Sequence, residues 1–176
     1  MKVKKVEKLF RASEHGFSAD AFHKKCDNKE DTLVIVRTNF GKTIGGYTHY
    51  PWKSSGGEWV DDSQRRAFIF SLDMGEKFVP QGDNCLIFRQ GRYGPAFGGG
   101  GGHDIGIADG CNNNEDSFAR FPCTYDRPGR DKLERNRDTY RMFSGGDTYN
   151  FRVDEYEVFR SSSSNYRYPQ YSYPNF

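Results

Sequence analysis

Apolar positions along this chain fall mostly with a period of two, in short runs separated by Gly, Asn, Pro and charged residues. The run TLVIVRT is rich in β-branched residues and is bounded by the turn NFGK, which predicts a strand. In TIGGYTHY the paired glycines Gly45 and Gly46 predict a bulge or a close approach of another backbone. RAFIFSL alternates around Phe68 and Phe70, and NCLIFRQ and HDIGIA are further strands. YNFRVDEYEVFR directs Phe151 and Val153, then Tyr156 and Phe159, toward a core, with a register break near Glu155. One helix is predicted in HGFSADAFHKKCDN. Ser18 suits its N-cap, Asp20 its first turn, and Lys24 and Lys25 its last. Phe17 and Phe22 stand at hydrophobic-staple positions, and Ala19, Phe22 and Cys26 share one face. The longest loops cover DGCNNNEDS and DRPGRDKLERNRD. Many short strands and few helices predict a mainly β fold, an antiparallel sandwich with a helix packed against it.

Length and composition narrow the reading. A chain of 176 residues is most simply one domain. Its net charge of +2 arises from interleaved acids and bases, so no basic stripe points to nucleic acid. The N-terminus has a basic start but no apolar core of a signal peptide, and no apolar run approaches the roughly 20 residues of a membrane span. Cys26, Cys85, Cys111 and Cys123 form no CxxC pair and no zinc spacing, and there is no Asn-x-Ser/Thr sequon. These features predict a cytoplasmic protein with free thiols, although an even count leaves two disulfides open.

Residues 161–176 change character. A serine linker leads into YRYP and YSYP, where prolines and the absence of aliphatics preclude a core. The expected division is a domain over 1–160 and a Ser/Tyr/Pro-rich tail over 161–176. The tail reads either as a solvated end or as a docking strip presenting Tyr166, Tyr168, Tyr171 and Tyr173.

The run FGGGGGHDIGIADG invites a phosphate-loop or metal reading. No Lys-Ser/Thr follows the glycines, the dinucleotide spacing fails from every start, and a strand rather than a helix follows. Asp104, Asp109, Asn112 and Asn114 form a weak calcium alternative, although the EF-hand spacing is absent and Asn, Asp and Gly are ordinary turn residues. No catalytic motif surrounds His15, His23, His49 or His103, and there is no Gly-x-Ser-x-Gly elbow. The expectation is a protein without enzymatic activity, cofactor or bound metal.

Read as a pattern, YGPAFGGGGGHDIGIADGCN resembles the glycine-rich segment of the TLDc family, the domain shared by oxidation-resistance proteins. The blocks LFRASEHGFSADAFHKKCDNKEDTLVIVRT, GKTIGGYTHYPWKSSGGEWVDDSQRRAFIFSL and YNFRVDEYEVFR are similar to other segments of that family, in its order. Together they span Leu9 to Arg160. The enlarged glycine run, the DRPGRDKLERNRD insert and the Tyr-Pro tail depart from the pattern. The resemblance implies a two-sheet antiparallel β-sandwich flanked by short helices. It assigns a structural role to Gly45, Gly46, Gly98, Gly99 and Gly100, the run serving where the chain crosses between sheets. It also implies a non-enzymatic interaction module that acts in oxidation resistance and binds the vacuolar proton ATPase, with Glu155 and Glu157 at the family's partner-binding positions. The chain starts almost on the domain, so a bare domain is expected. A structural subunit of a filament or cytoskeletal assembly, docking through its tail, is the alternative.

Overall fold

The computed structural model describes residues 5–82, 85–99 and 102–162. In chain order the elements are β1 (Lys5–Arg11), α1 (Ala12–His15), α2 (Ala19–Cys26), β2 (Thr32–Thr38), β3 (Thr43–Thr48), β4 (Gly56–Val60), β5 (Phe68–Ser71), β6 (Glu76–Pro80), β7 (Ile87–Gln90), β8 (Tyr93–Phe97), β9 (Ile105–Ala108), β10 (Ser117–Phe118), β11 (Tyr125–Asp126), α3 (Arg137–Phe143), β12 (Asn150–Phe151) and β13 (Val153–Ser162). They form two antiparallel sheets, one of seven strands in the order β1-β13-β2-β3-β5-β6-β11 and one of six in the order β12-β10-β9-β8-β7-β4. The expected mainly β, two-sheet architecture is the observed one.

Directly paired residues share a face, so the ladders define the core. In the seven-stranded sheet the row Val158, Val34, Gly46, Ile69 and Phe78 points inward and is buried. In the six-stranded sheet the inward row is Val60, Ile87, Phe97 and Ile105. The sheets meet at Gly46: a Cβ there would lie 2.7 Å from the Phe97 ring. The paired glycines of β3 therefore mark a close approach. They do not mark a bulge, since the β2–β3 register runs unbroken from Thr32 to Arg37.

The predicted helix is α2. Ser18 Oγ accepts from the Ala21 amide, and Ala19, Phe22 and Cys26 are buried along one face. Phe22 stands edge-on to Trp52 and to Phe10, joining the helix to the core. The loop DRPGRDKLERNRD runs into a helix absent from the sequence reading, α3, which Asn136 caps by accepting from the Thr139 amide. One expected core residue, Phe159, is placed differently, and the alternation around Phe68 and Phe70 marks the outer face. Phe68 and Phe70 are half-buried on the outer face of β5 while Ile69 points inward. The register break beside Glu155 is present, and it shifts the inward set of β13 to Tyr156 and Val158, which leaves Phe159 outside. RAFIFSL is apolar on both faces, so periodicity alone could not say which face is the core.

Candidate interaction surface

The glycine run begins directly after β8 and ends before β9, and these strands are neighbours in one sheet. It is therefore a connection within the six-stranded sheet, and not the expected crossing between sheets. Gly98 (φ +84°) and Gly102 (φ +137°) occupy backbone conformations that side chains disfavour. Gly99 is required for a different reason: a Cβ there would lie 2.5 Å from Cys85 Cβ and 2.7 Å from the Trp59 indole. Gly100 lies outside the described residues.

The loop delivers two side chains. Asp104 is fully buried, and its carboxylate accepts from the amides of Cys123 (2.6 Å), Thr124 (2.8 Å) and Tyr125 (3.5 Å). Burial pushes this carboxyl up to about 7, against the pull of those three amides. His103 shares a hydrogen bond between Nδ1 and the Gly98 carbonyl (3.0 Å) and sits over the outer face of the six-stranded sheet. There the directly paired row is Trp59, Phe88, Ala96, Gly106 and Phe118. The Phe118 ring lies over Gly106, and His103 stands between Phe88 (5.0 Å), Trp59 (5.1 Å) and Phe118 (5.5 Å, stacked). Arg120 adds its guanidinium over the Phe118 and Tyr149 rings. Burial, aided by Arg120, holds the His103 imidazole below the ordinary histidine value.

The weak calcium set is not drawn together. Asp104 serves the 123–125 backbone, while Asp109 accepts from the Ala19 amide at the start of α2. The Asn114 amide donates to the carbonyls of Asp109 and Gly110, closing its own turn. Asn112 is half-buried in that turn. Among the described residues no group of three or more His, Cys, Asp or Glu has metal-binding geometry.

Glu155 and Glu157 lie together at the start of β13. Arg11 Nε is 3.3 Å from a carboxylate oxygen of each. Glu155 also accepts from the Ser13 amide (3.1 Å), which ties α1 to β13 and lowers its pKa despite partial burial. Glu155 thus has an internal structural task that sequence reasoning missed. The signal was present in the positions of Arg11 and Ser13, but only strand pairing brings residues 144 apart into contact. Tyr166, Tyr168, Tyr171 and Tyr173 lie outside the described residues. β13 itself runs to Ser162.

His15, His23 and His103 are hydrogen-bonded locally. His23, buried on α2, pairs Nδ1 with Asp27 (2.6 Å) and turns Nε2 to the carbonyls of Gln90 and Tyr93. Asp27 also accepts from Ser54 Oγ. The carboxylate therefore stands between histidine and hydroxyl, whereas nucleophile activation needs the imidazole between them. His15 Nδ1 contacts the Arg11 backbone, and His49 lies 3.6 Å from buried Asp62. Cys26, Cys111 and Cys123 are free thiols. Burial pushes the Cys26 and Cys111 thiols up to about 12, which makes them poor nucleophiles. Cys123 has Arg135 2.9 Å from its sulfur, yet burial still raises its pKa. No helix among the described residues is long and apolar enough to cross a membrane.

A two-sheet antiparallel sandwich, helices at its edges and a glycine-rich loop laid over one outer face define a β-sandwich module whose prominent surface feature is aromatic. The chain belongs to the TLDc family: the model of the TLDc domain matches residues 1–162. A comparison with curated proteins found no match.

Proposed function

We propose that this chain is a non-enzymatic protein-interaction module of the TLDc type, acting in the cytoplasm in oxidation resistance and binding the vacuolar proton ATPase. The observation that carries the reading is the family match, which runs through every described element of the fold. The local hydrogen bonding of His23 and His103 and the raised thiol pKa values of Cys26 and Cys111 are consistent with a module that works by binding. In this reading Glu157 belongs to the partner surface, with its carboxylate near Arg11 and about a quarter exposed (26%). Glu155 supports it by fixing α1. The test is co-sedimentation of the purified full chain with vacuolar membranes that carry the ATPase. Binding that is weakened in Glu157→Gln supports the reading. Equal sedimentation with membranes stripped of the ATPase overturns it.

A further inference from the structure

The outer face of the seven-stranded sheet is apolar across four strands. One directly paired row runs Phe159, Leu33, Tyr47 and Phe68, and the next runs Glu157, Ile35, Gly45, Phe70 and Lys77. Phe159, Leu33, Ile35, Tyr47, Phe68 and Phe70 are all half-buried. An antiparallel sheet with one solvated face alternates apolar and polar residues. β2 does not, because Leu33 to Val36 are apolar on both faces, as in a strand covered on both sides. The helices pack elsewhere, α2 against β8 and β1, and α1 against β13 and β1. A contiguous apolar face of this kind marks a contact site.

We propose that the chain's own C-terminal segment, Tyr166 to Pro174, folds back in extended form over this face, laying its tyrosine rings on the Phe159–Leu33–Tyr47–Phe68 row. The described chain ends at Ser162 in β13, three residues beyond Phe159, so the segment starts at the edge of the row. Residues 163–165 supply the turn. The row crosses four strands, about 14 Å at the usual inter-strand spacing. An extended proline-containing segment advances about 3.1 Å per residue, so Tyr166 to Tyr173 covers about 22 Å. The occupant matches the surface in chemistry. Within residues 163–176 Arg167 is the sole charged side chain. Tyrosines cover apolar area while keeping a hydroxyl in water, and prolines reduce the entropy lost on docking. The inference does not depend on which partner the module binds.

The test uses the full chain with methyl-labelled Leu and Ile, beside a variant carrying Tyr166→Ser, Tyr168→Ser, Tyr171→Ser and Tyr173→Ser. The expected result is nuclear Overhauser contact between tail tyrosine rings and the Leu33 and Ile35 methyls. In the variant those contacts are lost and those methyls shift, while the core methyls of Ile44 and Ile69 stay in place. Slowed amide exchange over Tyr166–Tyr173 in the parent chain, lost in the variant, supports the same docking. Three outcomes overturn it. One is unshifted Leu33 and Ile35 methyls. Another is tail exchange at unfolded-peptide rates. The third is contacts that disappear on dilution in step with dissociation of a dimer, which would put a second copy on the face.

Discussion

On the outer face of the six-stranded sheet, Trp59, Phe88 and Phe118 meet an imidazole brought back by the glycine run. On the outer face of the seven-stranded sheet, Phe159, Leu33, Tyr47 and Phe68 lie side by side, with Tyr47 stacked on Phe68 and Lys77 reaching over that ring. The difference originates in the connections. β2 and β3 are joined through residues 39–42, and β5 and β6 through 72–75, turns too short to fold over a sheet. β8 and β9 are joined by a run with positive-φ glycines at Gly98 and Gly102, which turns back and packs Gly99 against Trp59. One sheet finishes its outer surface with its own hairpin connection, whereas the outer face of the other carries no such connection among the described residues.

Glycines on the two sides give the largest contrast. A Cβ on Gly45 would overlap the Val34 carbonyl oxygen, which is fixed in the β2–β3 ladder, and the Phe70 ring. Gly45→Ala is expected to destabilise the fold by about 3 kcal/mol. Gly99→Ala meets Cys85 Cβ in a loop and a Trp59 indole that is 44% exposed, rather than a carbonyl held in a ladder, so a smaller loss of about 1 kcal/mol is expected. Urea midpoints of the two variants check the order, and equal losses would break the comparison. Between them falls Asp104→Ala, which strips the loop's anchor from the amides of Cys123, Thr124 and Tyr125 at an expected loss of about 2 kcal/mol. Asp104→Asn keeps one carbonyl acceptor and should lose less.

The glycine-run face should also respond to acid. His103 titrates below the ordinary value of 6.5 in the folded state, so below 6.5 the unfolded chain binds more protons. Its contribution to stability is complete above 6.5 and is lost as pH falls through the folded pKa. His49 acts with the same sign, whereas Asp104, raised from 3.8 to about 7, loses stability as pH rises through that window. The effect is therefore read as a difference. His103→Phe should flatten the acid-side loss relative to the parent chain, in denaturation midpoints measured across the histidine range. The smallest change is expected in the shared core. Tyr156 is buried and its hydroxyl has no hydrogen-bond partner among the described residues, so Tyr156→Phe should alter stability by about 0.5 kcal/mol or less, or raise it.

The contrast also shows what the chain disclosed in advance. The α2 cap and buried face, the strand at TLVIVRT and the break beside Glu155 follow from local chemistry, and each is present. The blocks that resemble the TLDc family led to the right fold before any pairing was known. Phe159 was misdirected inward because the break beside Glu155 puts Tyr156 and Val158 on the core side, and RAFIFSL left the core face open because a period of two cannot rank two apolar faces. The helix α3 was hidden by the charge density of RDKLERNRD. The tasks of Asp104 and Glu155 depend on amides 19 or more and 142 residues away in the chain, which only the fold brings near.

The central claim is that the two outer faces are finished by different parts of the chain. Hydroxyl-radical footprinting of the full chain and of the four-tyrosine serine variant compares both faces in one experiment. The account predicts that oxidation of Phe68, Phe70 and Phe159 rises in the variant while that of Phe88 and Phe118 stays constant. Equal labelling of Phe68, Phe70 and Phe159 in both proteins would contradict it.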